Sequence, residues 1–207
     1  MYMETSMKEH SQESGFALLM TLIVVGVVLS VGLSILDLSI KQIRLSTNAK
    51  ESEISFHAAN AGMECARYWR RENADEMEKG EVITPTCFGV SAGTITPLDK
   101  NNLPGTAAVV GLGDVFLYSY EFTWGPSNAV RCTQVDTLVA SSSPAGTGAT
   151  TTNMTDIFPG YPEDTDGPDS YCVAGSRCTV VSVRGYNRPC STSNGYGTVE
   201  REVLLQL

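Results

Sequence analysis

The sequence predicts an α+β protein in which a long amino-terminal helix packs on an antiparallel β-sheet head braced by disulfide bonds. Residues Phe16–Leu36 contain no charged side chain and are numerous enough to cross a bilayer. Residues Val115–Trp124 alternate aromatic with non-aromatic side chains, which is typical of a strand with one buried face. All six cysteines follow the apolar segment, which favours disulfide bonds in an exported domain.

Composition limits both the size of the head and its partners. The chain has 207 residues, a formal net charge of −9 and 18% charged residues. About 170 residues follow the apolar segment, which is about one domain by the usual size of domains. The acidic balance argues against a nucleic-acid partner, because such binding needs Lys and Arg clustered on one face.

The apolar segment is preceded by a polar leader that ends in a glycine. Residues Met1–Gly15 read MYMETSMKEHSQESG, with one lysine against three glutamates. A secretory signal peptide has a basic end, a shorter apolar core and a cleavage site after that core. Here the glycine comes before the apolar run, and roughly 20 apolar residues match the thickness of a bilayer as a helix. We therefore expect residues 16–36 to span a membrane.

The junction between Gly15 and Phe16 resembles the prepilin cleavage site of type IV pilins and type II secretion pseudopilins. This resemblance implies a pilin-like fold and a leader, residues 1–15, that prepilin peptidase removes on the cytoplasmic side. Phe16 would then be the methylated first residue of the mature chain. The implied partners are membrane lipid before assembly, other pilin subunits through the amino-terminal helix, and an inner-membrane assembly platform. The implied location is the inner membrane as a single-pass protein, then an extracellular pilus or a periplasmic pseudopilus, with the head outside the cytoplasm.

One position departs from the pattern of major pilins. Major pilins have a glutamate at the fifth mature position, where the present chain has Met20. Some minor pilins, including those with a PilX-type amino terminus, also lack that glutamate. The resemblance therefore favours a minor pilin over a major filament subunit.

The helix is predicted to continue out of the membrane as an amphipathic segment, residues 37–73. Proline is absent until Pro85, and apolar or small side chains recur every three or four residues. This predicted stripe comprises Ile40, Ile43, Thr47, Ile54, Ala58, Ala61, Cys65 and Trp69. The run Phe56–Glu64 is similar to the FxAAxAGxE stretch of PilX-type minor pilins, and its small residues favour close approach of a sheet or a second helix.

The head, residues 74–207, is predicted to be β-rich. Residues Arg70–Gly80 are charged and are predicted to form a loop that Gly80 terminates. The predicted strands are Glu81–Ile83, Thr94–Thr96, Val115–Trp124, Val130–Val139, Cys178–Arg184 and Thr198–Leu207. In Val115–Trp124 the aromatic face is expected to pack on the helix. Residues 140–177 are interpreted as a loop insertion, because Ala140–Gly167 is rich in Ser, Thr, Gly and Pro.

The six cysteines allow 15 complete pairings, so the sequence leaves their connectivity open. The preferred set is Cys65 with Cys87, Cys132 with Cys190, and Cys172 with Cys178. The first pair would tie the end of the helix to the first part of the sheet. The second would cross the sheet, and the third would close a small hairpin.

Residues 163–169 contain three aspartates around a glycine, which makes Asp164, Asp166 and Asp169 candidate calcium ligands. The twelve-residue loop of an EF-hand is missing, and acidic turns are commonly only solvated. Zinc is disfavoured, because the chain has no CxxC motif and its histidines, His10 and His57, lie in the leader and on the helix. No certain cofactor is therefore expected.

The motifs of hydrolases, nucleotide-binding loops and metalloproteases are absent, so no enzyme activity is expected.

Two alternatives to a minor pilin subunit remain open from the sequence. One is an uncleaved single-pass membrane protein with an adhesive or receptor-like extracytoplasmic domain. The other, within the pilin class, is a role in DNA uptake or adhesion through residues 140–167. The sequence does not distinguish motility, secretion, uptake and adhesion.

Overall fold

The computed structural model describes residues 10–127, 129–142, 144, 146, 148–162, 170–193 and 195–207, with side chains from residue 15 onward. The chain divides into two compact units, one up to Ala49 and one from Lys50 to Leu207. The candidate calcium ligands Asp164, Asp166 and Asp169 lie outside the described residues.

The first unit consists of helix α1 (His10–Glu72) as far as Ala49. The helix begins before Gly15, within the predicted leader, and continues without interruption because the segment contains no proline. By length and composition, the helix from Gly15 to Glu72 is suitable for crossing a membrane. The structure thus supports a candidate amino-terminal transmembrane helix.

In its described residues the second unit contains the rest of α1, a short helix α2 (Ala74–Glu78) and ten strands. The strands are β1 (Thr86–Cys87), β2 (Val90–Ser91), β3 (Leu98–Asp99), β4 (Ala108–Gly111), β5 (Gly113–Trp124), β6 (Arg131–Ser142), β7 (Ala149–Thr152), β8 (Ser170–Cys172), β9 (Arg177–Tyr186) and β10 (Glu200–Gln206). Short 3₁₀ turns occur at Met154–Asp156 and Cys190–Thr192. The unit is therefore α+β, as the sequence predicts.

Three short segments differ from their predicted structure. Residues Arg70–Gly80 are mostly helical rather than a loop, because α2 follows α1 after Asn73 alone, although Gly80 does form the turn with φ +72°. Residues Glu81–Ile83 and Thr94–Thr96 are not strands. They meet only at an isolated bridge between Ile83 and Ile95, which is too short to form a ladder.

The main sheet has five antiparallel strands in the order β10-β9-β6-β5-β3. Tyr120, Val135 and Val183 lie side by side on β5, β6 and β9, and they pack with Met63 and Ala66 of α1. The aromatic face of β5 therefore packs on the helix, as its alternation predicts. This contact buries one face of the sheet, which supplies much of the apolar burial that stabilises the head.

The buried face of α1 is rotated relative to the predicted stripe. The predicted Ala58 is fully buried, but Ala61, Cys65 and Trp69 are only partly buried. The remaining buried positions are Ser55, Ala59, Gly62, Met63 and Ala66. Most of these are small residues, so the helix axis can approach the sheet more closely than a face of Ile and Trp would permit.

A second layer covers the other face of the main sheet at one end. It contains the three-stranded sheet β4-β7-β8 and the turn at Met154–Asp156. Buried side chains of this layer, including Met154 and Phe158, pack on Leu117, Leu138 and Val180 of the main sheet. The prediction that residues 140–177 are a loop insertion is thus wrong in part: β6 extends to Ser142, and β7 and β8 lie in this segment. Ser and Thr adopt strand structure here because Ala149 and Thr151 face the core.

Candidate functional site

The first candidate site is the apolar surface of α1 in the first unit. Phe16, Leu33 and Leu36 are each about 60% exposed, and the other large apolar side chains of residues 16–36 are similarly exposed. A continuous apolar helix surface of this length is not stable in water, and it requires either lipid or other apolar helices around it. The surface is thus consistent with a membrane-spanning segment at residues 16–36.

Two polar side chains of this segment, Thr21 and Ser34, make hydrogen bonds within the helix. The hydroxyl of Thr21 donates to the carbonyl of Leu18 at 2.8 Å, and that of Ser34 donates to Ser30 at 2.9 Å. These bonds satisfy the hydroxyl donors without water, which an apolar environment requires. The first charged pair appears at the end of the segment, where Lys41 Nζ lies 2.8 Å from Asp37 Oδ2 with both side chains exposed.

The predicted processing junction lies within α1. Gly15 and Phe16 are both exposed, and no other part of the described chain lies within 4 Å of the position that a Cβ on Gly15 would take. The peptide bond between them is helical, so a peptidase would have to unwind this turn before cleavage. Met20, one turn further on, is 47% exposed and uncharged.

The second candidate site is the seam where α1 meets the main sheet in the second unit. Gly185 lies next to the last residue of β9, and a Cβ there would collide with the Ser55 carbonyl oxygen and the Ala59 amide nitrogen. Gly62 faces the sheet from the helix side, where a Cβ would meet the side chains of Thr133 and Val183. Glycine on both elements therefore permits close approach of the helix backbone to the sheet.

Polar side chains along the seam hold the helix to the sheet. Buried Ser55 donates its hydroxyl to the Val199 carbonyl at 2.7 Å, and it also lies 3.0 Å from the carbonyl of Glu51. Thr133 donates to the Ala58 carbonyl at 3.2 Å and accepts a bond from Trp124 Nε1 at 2.9 Å. The buried hydroxyls of Ser55 and Thr133 are thus paired, as burial of polar groups requires.

Three disulfide bonds brace the second unit: Cys65–Cys87, Cys132–Cys190 and Cys172–Cys178. These are the pairs preferred from the sequence. The first joins α1 to β1, the second joins β6 to the turn at Cys190–Thr192, and the third joins β8 to β9. Disulfide bonds restrict the unfolded chain and are typical of domains in oxidising compartments.

The described residues contain one grouping of potential metal ligands, which comprises Glu121, Cys132 and Cys190. Both sulfur atoms belong to a disulfide bond, and a metal would need them as thiolates. His57 lies on the exposed side of α1, with its Nε2 3.6 Å from Glu53 Oε1. The grouping therefore does not form a metal site.

The titration of two buried tyrosines reflects packing in the head. Burial, together with the charge of Glu81, raises the pKa of Tyr118 to about 12. The Tyr118 hydroxyl donates to the carbonyls of Glu81, at 2.9 Å, and Met77, at 3.3 Å. Burial likewise raises the pKa of Tyr186 to about 12, and its hydroxyl donates to Gln134 Oε1 at 3.0 Å. Both phenols thus remain neutral hydrogen-bond donors at physiological pH.

The sequence prediction missed two residues that position the helix, Gly185 and Ser55. A single glycine at the end of the apolar run CTVVSVRGY indicates close backbone approach, but the predicted strand stopped at Arg184. Ser55 is polar, and its burial could not be read from an apolar stripe.

No protein-family model, no curated protein and no solved structure matches this chain.

Proposed function

We propose that this protein is a minor type IV pilin or pseudopilin, a structural subunit assembled into or at the tip of a pilus or secretion pseudopilus. The observation that supports this proposal best is a single helix that begins in a polar leader and continues through an uncharged segment. The same helix then packs on a disulfide-braced antiparallel sheet. A pilin needs this combination, because one helix must reside in lipid first and in a filament core later.

The exposed apolar surface of α1 suits both environments. Before assembly, residues 16–36 would lie in the inner membrane, with the head on the extracytoplasmic side. After cleavage and extraction, the same side chains would pack against the helices of other subunits. Prepilin peptidase and an inner-membrane assembly platform are the partners that these two steps require.

Met20 restricts the position of this subunit in the filament. In major pilins the glutamate at this position is thought to neutralise the amino terminus of a neighbouring subunit. An unpaired charge in an apolar core costs several kcal/mol even after relaxation. A tip subunit has no neighbour above it and makes only half of these contacts. We therefore expect this chain to be scarce in sheared filaments, and a filament built mostly of it would contradict the minor position.

Amino-terminal mass spectrometry of the protein from its native membrane tests the proposal directly. The mature chain should begin at Phe16 with a methylated amino group. Replacing Gly15 by isoleucine should leave a precursor that begins at Met1. Gly26→Ile is the matched control, because no other part of the described chain lies within 4 Å of a Cβ at either glycine. The control should be processed normally.

An intact Met1 on the mature wild-type chain would overturn the proposal. That result would favour the uncleaved single-pass membrane protein with an adhesive or receptor-like extracytoplasmic domain. Normal processing of the Gly15→Ile variant would refute the assigned cleavage site.

A further inference from the structure

An open cleft lies where β4 turns into β5, within the second unit. Its volume is about 420 Å³, and residues Gly111, Leu112 and Gly113 form the corner between the two strands. Lys100, Asp114, Ser141 and Ser142 complete the lining. Because these residues all belong to the head, ligand binding in the cleft is independent of whether Gly15 is a processing site.

The charged groups of the cleft neutralise each other. Lys100 Nζ donates to the Gly113 carbonyl at 3.0 Å and lies 3.9 Å from Asp114 Oδ1. An anion would meet an ammonium group that is already paired, and a metal ion would be repelled by that same ammonium group. The cleft therefore offers donors and acceptors in balance, without a net charge that selects an ion.

One hydroxyl at the cleft has no hydrogen-bond partner. Ser142 is 8% exposed, and its Oγ is unpaired within the part of the chain that the structure describes. A buried hydroxyl without a partner is unfavourable, and a ligand group that reached it would remove that cost. Together with Ser141, Ser142 supplies groups that both donate and accept.

An aromatic ring lies next to the polar cleft. Tyr171 shares a row with Thr150 and Val110 across the three-stranded sheet. A Cβ on Gly148 would lie 2.8 Å from the Tyr171 hydroxyl oxygen, so the tyrosine side chain covers Gly148, which itself abuts Gly111 of the cleft. Tyr171 is 54% exposed and Leu112 is 60% exposed. The polar cleft is thus bordered by exposed apolar surface.

We propose that this cleft binds a neutral saccharide. Sugar hydroxyls donate and accept hydrogen bonds, which matches the carboxylate of Asp114, the ammonium of Lys100 and the serine hydroxyls. The C–H face of a sugar ring is apolar and would pack on Tyr171 and Leu112. A concave site with a few converging polar groups beside apolar surface is the usual form of a small-molecule site.

Saturation-transfer NMR with the full chain tests this assignment. The protein is held in a zwitterionic alkylphosphocholine detergent, because a glycoside detergent would compete for the cleft. The probes are glucose, galactose, mannose, rhamnose and N-acetylglucosamine, with inorganic phosphate as the anion. At least one neutral sugar should receive saturation, and phosphate should cause no shift of the protein resonances.

Two variants and two matched controls locate the binding. Lys100→Met and Tyr171→Leu should each weaken sugar binding about tenfold or more, because each removes a main contact. Lys79→Met and Tyr196→Leu change an exposed lysine and an exposed tyrosine elsewhere and should bind as the wild type does. Tyr171→Leu alters an exposed side chain, so it remains informative if Lys100→Met does not fold.

Three outcomes would overturn the proposal. These are the absence of saturation transfer to every neutral sugar in the panel, undiminished sugar binding by both cleft variants, and displacement of bound sugar by phosphate.

Discussion

Replacing Gly185 by alanine tests the close contact between α1 and the main sheet. The new Cβ would overlap backbone atoms of residues Ser55 and Ala59 and lie 3.0 Å from the Ala58 carbonyl carbon. Backbone atoms of a helix cannot rotate aside, so either α1 or β9 must shift. Overpacking of a core typically costs 1 to 3 kcal/mol, and we expect about 3 kcal/mol here because no flexible group can yield.

Gly62→Ala provides a graded comparison at the same seam. Its Cβ would overlap methyl groups of Thr133 and Val183, which are fully buried β-branched side chains with restricted rotation. Alanine also favours the helix by about 1 kcal/mol over glycine, which offsets part of the clash. We therefore expect Gly62→Ala to destabilise the head, but by less than Gly185→Ala does.

The assay is guanidinium unfolding of the full chain in alkylphosphocholine, followed by tryptophan fluorescence. The two tryptophans, Trp69 and Trp124, both lie at the seam and donate to Thr86 and Thr133 respectively. Their emission thus reports on separation of helix and sheet. A Gly185→Ala protein as stable as the wild type would show that α1 does not approach β9 as described.

Three further predictions concern titration and the disulfide bonds. The folded pKa of Tyr118 exceeds the usual value of about 10, so the stabilising effect of this tyrosine is complete below pH 10 and declines as pH rises toward about 12. In alkaline unfolding, the difference in stability between the wild type and Tyr118→Phe should therefore become smaller across this range. A constant difference would contradict this prediction. The hydroxyl and amide of Thr106 each lie 2.7 Å from Asp156 Oδ2 and hold the pKa of Asp156 below its usual value. The stabilising effect of this contact is therefore complete above the usual pKa and is lost as pH falls through the folded pKa. An NMR titration of Thr106→Val should show a higher pKa for Asp156 than the wild type has. Intact mass after alkylation without reductant should show no labelled thiol, whereas two or more labelled cysteines would exclude at least one bond.

The sequence predicted the structure best where burial or a membrane environment imposes a regular pattern of apolar residues. The uncharged run Phe16–Leu36 has few alternatives to a long helix, and the alternation in Val115–Trp124 identifies the strand face that packs on α1. Pairings of non-consecutive strands, such as β6 with β9, and the second layer could not be predicted, because short strands such as β4 and β7 carry too few residues for a periodic signal.

The cleft at Gly111–Gly113 could not be predicted from the sequence, for a related reason. Lys100, Asp114 and Ser142 are ordinary surface residues in the sequence, and only strand register brings them together. The rotated buried face of α1 has a different origin. Serine and glycine at the seam permit close packing because they are small, and a search for apolar side chains does not detect such residues.

The contacts between α1 and the strand region near β10 determine when the head can be completed during synthesis. Ser55 bonds to Val199, which lies 144 residues later, and Ser52 accepts two bonds from Arg201, which lies 149 residues later. A ribosome must therefore make almost all of the second unit before the helix is fastened to this edge of the sheet. A chain interrupted before residue 198 would retain the apolar helix but lack this closure. The exposed side of the helix would thus distinguish a fragment from the finished chain.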